Sequence, residues 1–260
     1  MYNFASVYIV IIDKKIMKTL VIIPSRLSAQ RLPGKPLMKI NGLSIISHVF
    51  KKAEEANIGE VIVAAEDQEI VDDVKQNGGQ AILTKNDHKT GTDRVYEVFQ
   101  KIDTSNIDQV MNLQGDEPLI DLEDIKNLQK RMIKNKSKIG TLAFDIKNKV
   151  LFNNKNIVKV ITDEKLEQSK FSKAINFVRE SSLNLKNTYH HLGIYCYQTD
   201  ILKKFCSLKQ SQNEVENKLE QLRALDNSIT INVALARAVS HGVDTEEDFV
   251  AIKKIMEYKS

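Results

Sequence analysis

Residues 21–36 read VIIPSRLSAQRLPGKP, an apolar run that changes abruptly into a basic loop. The β-branched residues before Pro24 are typical of a strand buried in a sheet. Arg26, Arg31 and Lys35 follow, and two further prolines and a glycine restrict the backbone around Lys35. Loops at the carboxyl ends of strands are where α/β folds bind ligands. The stretch therefore predicts an anion site, although a solvated basic turn could contain the same residues.

The composition favours one globular α/β domain. The chain has 260 residues, of which 42% are hydrophobic and 28% charged, which is enough for a sizeable core. The net charge of +4 is spread along the chain and Trp is absent, so we expect no nucleic-acid partner, and an RNA-binding domain is a weak alternative. Cys196 and Cys206 lack the spacing of a metal or redox pair, which predicts a reducing compartment.

The first sixteen residues have the features of an extension that precedes the domain. Met17 begins MKTLVIIP, which reads as a start just before a strand. Residues 1–16 have no basic region or cleavage site, and their apolar run is too short to span a bilayer. We predict a disordered extension, no membrane partner and a cytoplasmic location. An edge strand or a membrane-touching segment is the alternative for residues 1–16.

Strand-like and helix-like segments alternate along the rest of the chain, which favours a mixed, mostly parallel sheet covered by helices. Residues 17–260 are predicted to form a single domain with an irregular lobe around 145–225. Strands are predicted at Thr19–Pro24, Glu60–Ala65, Ala81–Leu83, Gln109–Leu113, Gly140–Phe144, Val158–Thr162, Tyr189–Tyr197 and Thr230–Leu235. Helices are predicted at Ile45–Ala56, Gln68–Asn77, Arg94–Lys101, Asp121–Lys134, Thr199–Phe205, Glu214–Leu225 and Glu246–Tyr258.

Two acidic segments are candidates for a metal site. NLQGDEPLI, residues 112–120, places Asp116 directly after a predicted strand. Carboxylate oxygens are the ligands that hard divalent cations prefer. Asp244 in HGVDTEED is a second candidate, provided that the fold brings the two together. The same segment also fits a helix start capped by Asp244 or Thr245.

The segment HKTGTDR, residues 88–94, offers hydroxyls and exposed backbone that suit a base or a ribose. Thr90 and Thr92 carry these hydroxyls. The start of a helix capped by Thr92 or Asp93 would account for the same residues.

Polar side chains further along the chain are candidates for a second substrate. Alternation along HHLGIY puts His191 and Tyr195 on one side of an extended segment. Glu220 and Gln221 lie off the leucine stripe of a predicted helix. Solvated surface residues would show the same pattern.

The order and combination of these motifs along the chain are specific to one protein family. RLPGKPL (31–37), TGTDR (90–94), NLQGDEPLI (112–120), HLGIY (191–195), LEQLRAL (219–225) and GVDTEEDF (242–249) together resemble the 3-deoxy-manno-octulosonate cytidylyltransferases, also called CMP-KDO synthetases. The resemblance implies a Rossmann-like nucleotidyltransferase fold, an α/β/α sandwich with a smaller dimerisation lobe. It implies transfer of CMP from CTP to the anomeric hydroxyl of KDO, with release of pyrophosphate, for lipopolysaccharide biosynthesis.

The resemblance also implies a role for each motif, with Mg²⁺ as cofactor and a homodimer as the assembly. Asp116 and Asp244 would bind the metal and, with Arg26 and Lys35, would form the catalytic set. Nucleotide contacts are implied for Arg26, Arg31, Lys35, Thr90, Thr92, Arg94 and Gln114. Sugar contacts are implied for Lys173, His191, Tyr195, Glu220 and Gln221, and Gln114 would line the sugar pocket as well.

Two departures from the family pattern bear on substrate choice. In FSKAINF, residues 171–177, Lys173 stands where the family carries Arg, which keeps the charge but loses the bidentate fork. A related sugar acid, such as amino-KDO or a nonulosonic acid, is therefore the alternative substrate. The pair Ala65-Glu66 stands where Thr-Asp is typical of the family. This difference predicts a nucleotide site with slightly altered contacts. Outside the enzyme class, the alternative is a catalytically silent nucleotide-binding module.

Overall fold

The computed structural model describes residues 18–28, 31–146, 152, 154–180, 186–238 and 242–258. The predicted extension, residues 1–16, lies outside the described residues. The strands are β1 (Thr19–Ser25), β2 (Lys39–Ile40), β3 (Leu43–Ser44), β4 (Gly59–Ala65), β5 (Ala81–Leu83), β6 (Gln109–Asn112), β7 (Ile139–Phe144), β8 (Lys159–Thr162), β9 (Ser172–Val178), β10 (Thr188–Gln198) and β11 (Ile231–Leu235). The helices are α1 (Ile45–Ala56), α2 (Gln68–Gln76), α3 (Gly91–Lys101), α4 (Leu122–Asn135), α5 (Thr199–Ser207), α6 (Gln212–Asn217), α7 (Leu222–Asp226) and α8 (Glu246–Tyr258).

Nine strands form one sheet in the order β5-β4-β1-β6-β10-β7-β11-β9-β8. The first four are parallel, and β1 lies between β4 and β6. Its residues Leu20 to Ile23 have no exposed surface, because α1, α2 and α4 cover one face and α3, α5 and α7 the other. A strand buried on both faces is apolar throughout rather than alternating. The predicted α/β/α sandwich is confirmed.

The second half of the sheet is mostly antiparallel. Strand β10 pairs with β6 and β7, and its first residues also pair with β8. Because β7 continues through β11 and β9 to β8, the five strands β10, β7, β11, β9 and β8 close into a ring. This ring occupies part of the predicted lobe around 145–225, so the lobe is continuous with the main sheet.

Two sequence expectations differ from the structure. The predicted helix over Glu214–Leu225 is wrong, because α6 ends at Asn217 and is followed by Lys218, whose φ of 53° is left-handed. A left-handed residue at the end of a helix reverses the chain, and α7 then starts separately at Leu222. The strands β2, β3 and β9 have no counterpart among the predicted elements. Among the described residues, no helix has the length and apolar character needed to cross a membrane.

Candidate active site

The basic loop after β1 is folded back on itself. The Gly34 amide donates to the Leu27 carbonyl at 3.0 Å, and the Leu27 amide donates to Asp67 Oδ2 at 2.8 Å. Gly34 has a φ of 74°, a left-handed conformation that costs glycine little. The following residue, Lys35, starts a short 3-10 helix, Lys35–Leu37.

The acidic segment after β6 lies directly beside this loop. A Cβ on Gly115 would come within 2.9 Å of the Pro24 carbonyl oxygen, so only glycine allows the two strand ends to approach so closely. The next residue, Asp116, accepts a hydrogen bond at its carbonyl from the Val243 amide at 2.8 Å. This bond joins the segment carrying Asp244 to the end of β6.

A cavity of about 560 Å³ opens where these segments meet. Ser25, His88 and Lys89 line it without having been predicted. His88 and Lys89 are the first two residues of the segment HKTGTDR, in which only the threonines and the arginine are candidates. The predicted residues in its lining are Arg26, Arg31, Lys35, Thr90, Arg94, Gln114, Asp116 and Asp244. The fold thus brings together loops that follow β1, β5, β6 and β11.

The central contact of the cavity is made by Lys35. Its Nζ lies 2.5 Å from Asp116 Oδ2, 2.8 Å from the Val243 carbonyl oxygen and 3.2 Å from Asp244 Oδ1. Burial acts to lower the pKa of Lys35, but the two carboxylates outweigh it and raise the pKa above its usual value. Arg31 pairs with the other oxygen of Asp244 at 2.8 Å. The two predicted metal ligands, Asp116 and Asp244, therefore contact the same lysine amine, and each forms an ion pair with a basic side chain.

The oxygen atoms around the Lys35 amine suit a divalent cation. Two carboxylates and one backbone carbonyl are hard donors, as Mg²⁺ requires. Among the described residues, no cluster of three or more His, Cys, Asp or Glu side chains could hold a metal. Mg²⁺ usually keeps waters and substrate phosphates in its remaining positions. The residues present fit a Mg²⁺ that binds together with a nucleotide.

Arg94 is a fixed cation in the wall of the cavity. It is buried, donates to the Lys85 carbonyl at 2.9 Å and to Thr84 Oγ1 at 2.5 Å, and pairs with Glu66. Glu66 also accepts from Ser28 Oγ at 3.1 Å. The residue that departs from the family's Thr-Asp pattern therefore fixes a cavity cation.

The two threonines of TGTDR face different ways. Thr90 lines the cavity and caps α3, since its Oγ1 accepts from the Asp93 amide at 3.1 Å. The cap is therefore Thr90, not Thr92 or Asp93. Thr92 is buried, does not line the cavity, and accepts from Asn112 Nδ2 at 3.4 Å. As a nucleotide contact, Thr92 is not supported by this arrangement.

Four of the predicted sugar residues, His191, Tyr195, Glu220 and Gln221, do not line the cavity. The rings of His191 and Tyr195 are 5.3 Å apart, centroid to centroid. His191 Nε2 lies 3.0 Å from Thr141 Oγ1, and burial lowers the pKa of His191 to about 3, so the imidazole is neutral. Gln221, also buried, precedes α7 on this side of the sheet.

Glu220 connects this group to the cavity. Burial raises the pKa of Glu220 to about 7, although hydrogen bonds from the Thr90 and Thr92 hydroxyls and the charge of Arg223 act to lower it. Within the described part of the chain, Glu220 Oε1 and the Tyr195 hydroxyl are enclosed and have no hydrogen-bond partner. Buried polar atoms without partners are rare and indicate a place for a polar ligand or a water.

Lys173 belongs neither to the residues that line the cavity nor to the group formed by His191, Tyr195 and Glu220. Its side chain is exposed on β9 and does not line the cavity. The register between β8 and β9 shifts at Ile161 and Thr162, so Ala174 and Phe177 are both buried while Ile175 is 58% exposed. Lys173 alternates with the buried Ser172 and Ala174 and therefore lies on the outer face of the strand. The prediction that Lys173 contacts the sugar has no support in this placement.

Comparisons with known proteins identify the family of the chain. The family described as Cytidylyltransferase matches residues 20–231. A 3-deoxy-manno-octulosonate cytidylyltransferase from Rhodopseudomonas palustris (strain BisB18) is 40% identical over 244 residues, covering 92% of this chain and 98% of the relative. Its namesake from Paramagnetospirillum magneticum (strain ATCC 700264 / AMB-1) is 38% identical over 239 residues, covering 91% and 97%.

Solved structures of related proteins support the same family. A CMP:2-keto-3-deoxy-manno-octonic acid synthetase, solved in complex with CTP, superposes with a TM-score of 0.84 at 35% identity, covering 94% of this chain and all of that one. The 4-diphosphocytidyl-2C-methyl-D-erythritol synthase of Anaerococcus prevotii, at 13% identity and a TM-score of 0.62, shares the fold alone. Judged by its sequence, its fold and the side chains that converge on its cavity, the chain belongs to the cytidylyltransferase family, among the 3-deoxy-manno-octulosonate cytidylyltransferases.

Proposed function

We propose that this protein transfers CMP from CTP to the anomeric hydroxyl of KDO, giving CMP-KDO and pyrophosphate. One observation carries the proposal. Arg26, Arg31 and Lys35 line the same cavity as Asp116 and Asp244, so cations for a triphosphate lie beside oxygen ligands for its metal. The relatives named above, which act on this sugar acid, align over more than nine tenths of the chain.

The side chains of the cavity suit positioning and charge neutralisation, which supply most of the catalysis in phosphoryl transfer. Arg26 is exposed at the cavity wall, where it can bind phosphate oxygens. Arg94 is fixed by Glu66 and presents a cation that needs no reorganisation. With Lys35 and Arg31, these residues would stabilise the departing pyrophosphate.

Asp116, Asp244 and the Val243 carbonyl would hold Mg²⁺. When bound, Mg²⁺ neutralises phosphate charge and lowers the pKa of the attacking hydroxyl. Glu220 is hydrogen-bonded to Thr90, which lines the cavity. Within the described part of the chain, Glu220 Oε1 and the Tyr195 hydroxyl are enclosed without a hydrogen-bond partner, so both oxygens suit the hydroxyls of a sugar. His191, being neutral, would bind the sugar by hydrogen bonding and not by charge.

The homodimer implied by the family belongs to the same proposal. Sedimentation equilibrium of the full chain checks this, and a single monomeric species at micromolar concentration would contradict it. The cytoplasmic location stays a prediction.

Pyrophosphate release tests the activity. With CTP and Mg²⁺, the enzyme should turn over KDO faster than amino-KDO or a nonulosonic acid at equal concentration. Replacing CTP by UTP or ATP serves as the nucleotide control. Turnover with another acid and none with KDO would overturn the sugar assignment. No turnover with any acid would favour a silent nucleotide-binding module.

A further inference from the structure

Lys35 connects three distant segments of the chain through one amine. Its Nζ contacts Asp116, Val243 and Asp244, and only 14% of its side-chain surface is exposed. A lysine that simply awaited a phosphate would extend into the open cavity. Here the amine lies between the carboxylates, at the place where the donor atoms for a divalent cation converge.

An ammonium group and a divalent cation cannot share this place. Both seek the same oxygens of Asp116 and Asp244, and two positive charges a few Å apart repel strongly in a partly buried site. A metal that takes these oxygens must therefore displace the amine of Lys35. The displaced side chain remains anchored at the loop, so its amine can move only into the adjoining cavity.

Arg31 is held in the same way by the second oxygen of Asp244. Two cations, Lys35 and Arg31, and two carboxylates, Asp116 and Asp244, give this cluster a net charge of zero. A divalent cation raises that charge to +2 and offers both basic side chains to an incoming anion.

We propose that Lys35 is a placeholder cation, which occupies the divalent metal position of the metal-free enzyme and is released to the triphosphate when the metal binds. The inference rests on the proposed function for the identity of the metal site and of the triphosphate. Its consequence is that the enzyme presents its full set of phosphate donors only after metal has entered. The competing role for Lys35 is that of a structural brace, which holds the two aspartates together and assists metal binding.

Metal affinity distinguishes the two roles with a readout other than activity. Mn²⁺ binding to the full chain, measured by electron paramagnetic resonance without nucleotide, should be about tenfold tighter in Lys35→Met, because the competing charge is gone. Lys39→Met removes the same charge from an exposed residue four positions along and should leave Mn²⁺ affinity unchanged. Equal or weaker Mn²⁺ binding by Lys35→Met would overturn the proposal. If Lys35→Met does not fold, Lys35→Gln is read by the same criterion.

Binding of CTP in EDTA tests the release of the side chain. Asp116→Asn removes the shorter of the two carboxylate contacts that hold Lys35, so metal-free CTP should bind about fivefold tighter than to the wild type. In a Lys35→Met background the same substitution should give less than a twofold gain, since there is no lysine left to release. A gain of the same size in both backgrounds would show simple charge removal and overturn the proposal.

These outcomes are separate from those of the proposed function. Mn²⁺ and CTP binding are measured without sugar, so a wrong sugar assignment leaves both experiments valid. Failure of the wild type to release pyrophosphate would contradict the proposed function. Failure of Lys35→Met to gain Mn²⁺ affinity would contradict the placeholder role alone.

Discussion

Two carboxylate–cation clusters lie in different parts of the molecule. At the cavity, Lys35 joins Asp116 and Asp244, residues 81 and 209 positions away. Beside α6, the guanidinium of Arg223 donates to Glu214 through two hydrogen bonds of 2.8 and 2.6 Å, only nine residues apart.

The clusters differ in how well their charges are satisfied and enclosed. The side chains of Arg223 and Glu214 are 2% and 4% exposed, and Glu214 also takes part in the capping box of α6. The side chains of Asp116 and Asp244 are 27% and 41% exposed and line a cavity. A closed bidentate pair holds the fold together, whereas a partly open cluster can exchange its partners for a ligand.

The largest effect should come from Asp116→Asn. This change removes a metal ligand, so kcat should fall at least about 10³-fold. The free energy of unfolding should stay within about 0.5 kcal/mol, because the carboxylate is partly exposed. Pyrophosphate release and urea unfolding measure the two quantities. A loss of stability comparable to that of a buried pair would remove the distinction between the clusters.

Substitution in the buried Arg223–Glu214 pair should, in contrast, lower the stability of the protein. Arg223→Met leaves Glu214 buried without its partner and should cost about 3 kcal/mol in the free energy of unfolding. It also removes the guanidinium that lies 4.6 Å from the Phe205 ring centroid. The double variant Arg223→Met, Glu214→Leu should recover part of the loss. Full stability in the single variant would show that the pair is not structural.

Glu220 is intermediate between the clusters, since its Oε1 is enclosed while 27% of the side-chain surface is exposed. Its pKa is raised from 4.5 to about 7 in the folded protein. A carboxyl with a raised folded-state pKa stabilises the fold below pH 4.5 and loses that contribution as pH rises to about 7, which follows from linkage.

Glu220→Gln should therefore flatten the pH dependence of unfolding between these pH values. We expect a difference of about 2 kcal/mol from the wild type across the window, after allowing for the exposed part of the side chain. Urea unfolding at several pH values measures it. Parallel curves for the two proteins would show that Glu220 titrates normally.

The smallest effect should come from Lys173→Ala. The side chain is exposed and outside the cavity, so KM for the sugar acid should change less than about twofold and stability by less than about 0.5 kcal/mol. An increase in sugar KM of tenfold or more, with the KM for CTP unchanged, would restore the role that the sequence alone implied for Lys173.

Comparison of prediction and structure shows where local patterns are sufficient. The predicted boundaries of α1, β5 and α8 agree with the structure. Helices α1 and α8 begin after Ser44 and Thr245, whose hydroxyls accept hydrogen bonds from amides of the first turn, and β5 follows the Gly78-Gly79 break. The boundaries of α6 and α7 do not, because a left-handed Lys218 divides a pattern that would otherwise continue as one helix. Strand β9 was missed, because its irregular register disturbs the alternation that would reveal it.

The sequence by itself determined the layered α/β fold, the family, and the loop and strand ends that carry the cavity residues. It could do so because parallel strands are apolar throughout and their ligand-binding loops follow at fixed places. Only the tertiary structure decided that Asp116 and Asp244 meet on Lys35 and that Thr92 and Lys173 turn away from the cavity. Contacts between segments more than two hundred residues apart, such as Lys35 with Asp244, depend on packing and on strand register, which no local pattern encodes.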